Sequence, residues 1–148
     1  MTKPVMYLID TNVVSELRKK GKANPGVQKF FKQTAKQEAQ TYISVITVGE
    51  LRRGVEMIRT RGDQPQANRL EAWLQTILDD YADHILEFTE TEAQVWGRLR
   101  VPHPQNALDK QIAATALTCG LILVTRNVRD FVGMGVPLIN PFEAVDDV

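Results

Sequence analysis

The chain has almost no cysteine, no net charge and no long apolar run, and each absence narrows what it can be. Cys119 is the only cysteine among 148 residues. A framework of disulfides within the chain is therefore impossible, which suits a reducing cytoplasm. No thiol-protease signature surrounds Cys119, and it reads as a small buried side chain near a helix end. No apolar stretch approaches the roughly 20 residues that span a bilayer. Met1 to Pro4 carries a single lysine, and the apolar run that follows stops at Asp10, which is not the pattern of a secretory leader. Lysine plus arginine equals aspartate plus glutamate, 18 of each. Steering of the whole molecule toward nucleic acid is therefore not predicted. His84 and His103 form no triad with a plausible serine and read as surface or capping residues. There is no internal repeat, linker or low-complexity segment.

What is present is ordinary in bulk, with 43% hydrophobic and 24% charged residues, as in a soluble globular protein. The length suits one domain over 1–148 with a sizeable core. The basic residues are unevenly spread. Arg18, Lys19, Lys20 and Lys22 cluster, as do Arg52, Arg53, Arg59 and Arg61. Such clusters can track phosphates, though a solvated helix face is the commoner explanation.

The first strong pattern is Val5 to Ile9, an apolar run ending on Asp10, Thr11 and Asn12. It reads as a strand buried on both faces of a parallel sheet. A short helix with Val13, Val14 and Leu17 follows and is expected to end at Gly21. Asn24-Pro25 predicts a cap and first helical residue, with Val27, Phe30 and Phe31 as the apolar stripe. Thr41 to Val45 reads as the second strand. Thr47-Val48-Gly49-Glu50 matches a capping box, which would place Glu50 in the first turn of the next helix. Thr60 to Gln66 is expected to be a flexible loop. Leu70, Trp73, Leu74, Ile77, Leu78 and Tyr81 mark a helix built for packing. Ile85 to Phe88 is a short strand, and Thr89 to Glu92 a second capping box before a helix through Val95, Trp96 and Leu99. Pro102 and Pro104 impose a loop, after which Asn106 is expected to cap a helix running to Cys119 and stopped by Gly120. Its small residues suit close approach to a sheet. Leu121 to Thr125 reads as a central strand, and Gly135 to Asn140 as an edge strand because of Pro137. Strands alternating with helices predict an α/β domain, a parallel sheet of four to five strands with helices on both faces.

Three carboxylates fall where such a fold could gather them. Asp10 ends the first strand, Glu50 follows the second, and Asp109 opens the helix that leads into the fourth. If the first and fourth strands are neighbours, their loops share one cleft with Thr125, Asn127 and Asp130. Hard oxygen donors suit Mg²⁺ or Mn²⁺ and phosphoryl transfer. Thr11, Asn12, Thr125 and Asn127 are placed to orient waters or ligands around them. Each acid also has a local explanation. An acid in a first helical turn complements the helix dipole. Glu50 is moreover the acid of the capping box, and Asp10 is the hardest of the three to explain locally. Composition and spacing alone leave the chemistry there. A phosphatase using Asp10 as nucleophile is a further reading, weakened because Asn12 stands where the haloacid dehalogenase type wants a second aspartate.

The same residues carry a resemblance. Leu8 to Glu16, Ile43 to Gly54, Asp109 to Ala116, and Val124 to Phe131 with Gly135 to Phe142 resemble, in order, the motifs of PIN-domain proteins. The likeness is strongest to toxin ribonucleases of the VapC and FitB type, and it covers nearly the whole chain. It implies a three-layer PIN-like sandwich and a Mg²⁺- or Mn²⁺-dependent endoribonuclease that acts on RNA, often transfer RNA. It implies the toxin of a bacterial toxin–antitoxin pair, held by a VapB/FitA-like antitoxin whose extended C-terminal segment covers the cleft. A homodimer in the cytoplasm is implied too, with Leu51 to Ile58 and Leu70 to Tyr81 as interface stripes unless they face the chain's own core. Asp10, Glu50 and Asp109 take the metal-site and catalytic roles, and Arg52, Arg53 or Arg126 the RNA backbone. In-line attack by water would leave a 5′-phosphate and a 3′-hydroxyl. The family's usual fourth acid is Asn127 here, so either three acids suffice, the preferred reading, or Asp130 compensates. The alternative of a different class is an inactive PIN-like domain that binds RNA or joins a regulatory complex.

Overall fold

In a computed structural model, described for residues 4–143, a five-stranded parallel sheet carries helices on both faces. The reading of Met1 to Pro4 lies, but for Pro4, outside the described residues. The strands are β1 (Met6–Ile9), β2 (Gln40–Ser44), β3 (Ile85–Leu86), β4 (Ile122–Val124) and β5 (Leu138–Ile139). The helices are α1 (Thr11–Leu17), α2 (Pro25–Lys36), α3 (Val45–Thr60), α4 (Gln64–Asp80), α5 (Glu90–Leu99) and α6 (Ala107–Cys119). The strand order is β3-β2-β1-β4-β5. β1 is therefore the centre, β4 lies beside it with Ile9 opposite Val124, and β5 closes an edge. The chain winds outward from β1 through β3, then returns to the other side of β1. The crevice between the ends of β1 and β4 is the switch point where open α/β sheets bind their ligands.

β1 and β4 are apolar throughout because both of their faces are covered, whereas β2 also carries Gln40, Thr41 and Ser44. Alternate residues of β1 enter different cores. Leu8 packs with Leu123, Ile112, Ala113, Ala116 and Phe131 on one face. Ile9 packs with Val124, Ile43, Val13, Val27, Leu51 and Leu74 on the other. The alanines of α6 are buried, which lets that helix lie close against the sheet. Among the described residues no helix is long and apolar enough to cross a membrane.

Several local expectations are corrected. α1 ends at Leu17, and Gly21 lies inside the following 3₁₀ turn, where Lys20 takes the left-handed backbone instead. The cap of α3 is Ser44, whose hydroxyl accepts from the Ile46 amide at 3.0 Å. The helix thus starts before the Thr47 capping box can form, and Glu50 stands in its second turn. The loop expected over Thr60 to Gln66 shrinks to residues 61–63, because Asp63 caps α4 and Pro65 fits its first turn. Asn106 precedes α6 with φ 57°, and its side chain makes no capping bond. Cys119 is exposed, since α6 ends at the surface with Gly120 in the left-handed conformation at φ 67°. The Asn24 cap and the Thr89–Glu92 capping box form as expected. His84 stacks on Tyr42 and shares a 2.8 Å hydrogen bond with the Thr41 carbonyl.

Candidate active site

Asp10 is set by the sheet itself. Its amide donates to the Val124 carbonyl at 2.9 Å, the last rung between β1 and β4. Its side chain is 4% exposed and fully engaged. Oδ1 accepts from the Thr11 amide at 2.8 Å, which makes Asp10 the N-cap of α1. Oδ2 accepts from the Thr125 hydroxyl at 2.7 Å and from Asn12 Nδ2 at 3.3 Å. The local role that the sequence seemed to deny Asp10 therefore exists, while the one it offered Glu50 does not. Burial raises the pKa of Asp10, the Thr125, Thr11 and Asn12 donors oppose that rise, and the charge of Asp130 adds to it.

Thr125 follows β4 as Asp10 follows β1, and it is wholly buried. Its hydroxyl accepts from the Asn127 amide at 3.1 Å while donating to Asp10. Asn12 spans the same gap, with Oδ1 accepting from the Arg126 amide at 3.0 Å. These small side chains clamp the two strand ends and hold the carboxylate in one orientation.

Glu50 reaches the crevice from α3. Its Oε1 lies 3.1 Å from the Thr11 hydroxyl, which is 3.0 Å from that of Thr47. The chain of bonds runs from Thr47 through Thr11 to the carboxylate. Burial raises the Glu50 pKa, the Thr11 bond lowers it, Asp10 raises it and Arg53 lowers it. Thr47 is a participant that the sequence had assigned to a cap. A hydroxyl one helical turn ahead of a site acid was the available signal.

Asp109 arrives on the first turn of α6, which is tied to α5 by Trp96 Nε1 donating to the Ala107 carbonyl at 3.0 Å. Among the described residues its carboxylate has no hydrogen-bond donor. Its pKa is pushed up to about 6, first by burial and then by the charges of Asp10, Asp130 and Glu50. Acids from β1, α3, α6 and the 3₁₀ turn Val128–Phe131 thus act on one another in a single crevice. Asn127 is exposed, and its side chain makes no hydrogen bond among the described residues.

The expected cationic residues divide. Arg53 is close enough to Glu50 to act on it. Arg52 is ion-paired with Glu71 and Glu56, and Arg59 with the same two acids, so these two arginines are engaged, joining α3 to α4 through Glu71. The Arg126 guanidinium lies 5.1 Å from the centre of the Phe142 ring. The stripes of α3 and α4 pack mainly into the chain's own core through Leu51, Val55, Leu74 and Ile77.

Among the described residues no three acidic, histidine or cysteine side chains are drawn close enough to cage an ion by themselves. The donor set still fits Mg²⁺ or Mn²⁺, which usually take one or two carboxylates and complete their shell with water and substrate phosphate. Burial and then the neighbouring acids push up the Asp109 pKa, and a divalent cation would relieve the repulsion among those acids.

Acids gathered at the switch point of a covered parallel sheet define a class, an α/β domain with an oxygen-donor site at its carboxyl edge. The chain belongs to the PIN domain family, whose profile matches residues 7–134. It is 35% identical over 145 residues to Toxin FitB of Neisseria gonorrhoeae, covering 93% of this chain and 99% of that protein. It is 32% identical over 144 residues to VapC ribonuclease Y4jK of Sinorhizobium fredii, covering 93% and 99%. The crystal structure of FitAcB from Neisseria gonorrhoeae superposes with a TM-score of 0.80 at 32% identity, over 94% of this chain and all of that one. Within the PIN domains, this chain therefore groups with the toxins of the VapC and FitB type.

Proposed function

We propose that the chain is the ribonuclease toxin of a toxin–antitoxin pair, a single catalytic domain that hydrolyses RNA phosphodiester bonds with the help of Mg²⁺ or Mn²⁺. The observation that carries the reading is the Asp109 carboxylate, which has no hydrogen-bond donor among the described residues and whose pKa is pushed up to about 6, first by burial and then by the charges of Asp10, Asp130 and Glu50. Such a site wants a cation and a phosphate. Asp10 and Asp109 are the residues that would hold the ion, with Glu50 completing the site. A bound divalent ion would neutralise charge on the scissile phosphate and make a nearby water more acidic.

The residues have separable tasks. Thr125 and Asn12 fix the Asp10 carboxylate in one orientation at the end of β1. Glu50 is steered by Thr11 and has its proton affinity raised, which suits a base that takes a proton from the attacking water. Attack in line on phosphorus breaks the bond to the 3′ oxygen, which takes up a proton and leaves as the 3′-hydroxyl of the upstream fragment, while the downstream fragment keeps the phosphate on its 5′ oxygen. Arg53 is the nearest of the three expected arginines to these acids in effect, and it would face the RNA backbone there.

The same reading supplies a partner and a place. A cavity of about 230 Å³ opens beside Glu50 between α1, α3 and α4, lined by Leu51, Val55, Leu70 and Trp73. An extended segment of a VapB/FitA-like antitoxin would lie there and over the acids. The compartment is the cytoplasm. A homodimer would use the parts of α3 and α4 left outside the core, where Met57 is 38% exposed. A monomer by light scattering at micromolar concentration would remove it.

The test is cleavage of a mixed transfer-RNA pool by purified protein free of antitoxin, with Mg²⁺ or Mn²⁺, with EDTA, and with a folded Asp10→Asn variant. Discrete fragments that vanish in both controls support the reading. Equal cutting by the variant refutes the site. Intact RNA together with no metal binding by calorimetry refutes the nuclease and leaves the binding-only alternative.

A further inference from the structure

A groove of about 740 Å³ has in its lining Asp130, whose charge reaches Asp10 and Asp109, and shares no lining residue with the cavity beside Glu50. One wall is the proline-rich segment between α5 and α6, the other the 3₁₀ turn after β4 and the residues that follow it. We propose that this groove seats the single-stranded RNA backbone flanking the scissile bond, with Arg98 and Arg129 binding its phosphates. The inference rests on the ribonuclease reading and adds the path of the substrate to it.

The first argument is charge. The chain as a whole is neutral, yet the groove is lined by Arg98, Arg129 and Lys110 against one carboxylate, Asp130, at the end nearest the acids. Among the described residues, the side chains of Arg98 and Arg129 make no ion pair and no hydrogen bond, and both residues are exposed. Arg52 and Arg59, which a count of charges would favour, are consumed by Glu56 and Glu71. A guanidinium without a protein partner is available for phosphate, which matches its donor fork.

The second argument is surface chemistry. Val101 is 75% exposed and Val132 73%, and they stand on the two walls. Cations beside open apolar side chains suit an unpaired nucleotide chain, whose phosphates and base faces need both. The third is position. Asn106, in the groove wall, immediately precedes the helix carrying Asp109, and Asp130 acts on both Asp10 and Asp109. A strand lying in the groove meets the acids as it leaves.

Lys110 has a different task. It is 6% exposed, and its ammonium donates to the carbonyl of His103. This bond pins the proline-rich wall to α6, so Lys110 is a positioning residue rather than a phosphate ligand.

The experiment is binding of a short fluorescein-labelled single-stranded oligoribonucleotide, followed by anisotropy over a range of salt, on the Asp10→Asn background. The Arg98→Glu/Arg129→Glu pair is expected to weaken binding about tenfold or more near 0.15 M salt. The slope of log affinity against log salt should fall by about 1.4, the share of two phosphates on a single strand. Arg69→Glu, on the exposed side of α4, should change neither. Where the reversed pair does not fold, Arg98→Gln/Arg129→Gln should give the same loss of slope, and with Asp10 restored it should raise KM and leave kcat. Unchanged affinity and slope overturn the proposal. So does loss of binding to a polyglutamate peptide with RNA binding intact, which would mark a peptide groove. A parent that fails to cut RNA refutes the nuclease reading separately, because the salt slope still decides the groove.

Discussion

Asp109→Asn should make the metal-free protein more stable while abolishing cleavage. The carboxyl of Asp109 has its pKa raised from 3.8 to about 6 in the folded chain. Well below pH 4 the group is protonated in both folded and unfolded chains and costs nothing. As pH climbs from 4 to 6 the unfolded chain ionises freely and the folded chain resists, so the parent loses stability across that window. Above it the loss is complete. At roughly 1.4 kcal/mol for each tenfold change in proton affinity, a fully buried group would cost about 3 kcal/mol. Asp109 is only half-buried, and solvent screening reduces this to about 1–2 kcal/mol. Asparagine has no such charge, so the variant should melt about 3–6 °C higher at pH 7.5 in EDTA. The gap should narrow sharply as pH falls to 4. Adding Mn²⁺ should raise the parent's melting temperature more than the variant's, because binding to the folded state alone stabilises it. Thermal melts at both pH values, with EDTA and with Mn²⁺, measure all of this. A variant no more stable than the parent at pH 7.5, or a gap that ignores pH, refutes the argument that burial and the neighbouring acids disfavour the charged Asp109 carboxylate.

Thr125→Val keeps the shape of a buried side chain but removes the donor to Asp10, a charge-assisted bond worth about 1.5–3 kcal/mol. The pKa of Asp10 should rise further, and the acid limb of the pH–rate profile should move up by about one pH unit; Thr125→Ser should not move it. Asn127→Asp places a carboxylate at the family's usual fourth position and should tighten Mn²⁺ binding about tenfold by calorimetry, since charge count sets affinity at such sites. Identical binding would mean that position 127 does not face the ion. Leu74→Ala empties a core position that is 1% exposed and should cost about 2–5 kcal/mol in urea unfolding, while the folded fraction still cuts RNA.

The architecture was legible because its signals are local and repeated. Apolar runs, helical stripes and caps at Asn24 and Thr89 each report the same alternation of strand and helix, and that alternation admits few topologies. Boundaries were less legible. A capping box at Thr47 and a loop at Thr60 to Gln66 obey local rules, but Ser44 and Asp63 satisfied the same backbone groups first.

By itself the sequence determined that acids would stand at the ends of strands and starts of helices, because residue type and period are written along the chain. Which of them face one another is a matter of strand order, and only the tertiary structure decided it. β1 and β4 are neighbours, so Asp10 meets Thr125 across 115 positions of chain. The same holds for cations. Arg52 and Arg98 look alike in sequence, yet α4 brings Glu71 to one and nothing among the described residues to the other. Charge interactions fall off with distance in space and ignore distance along the chain, so the site's electrostatics come into being only when the sheet closes.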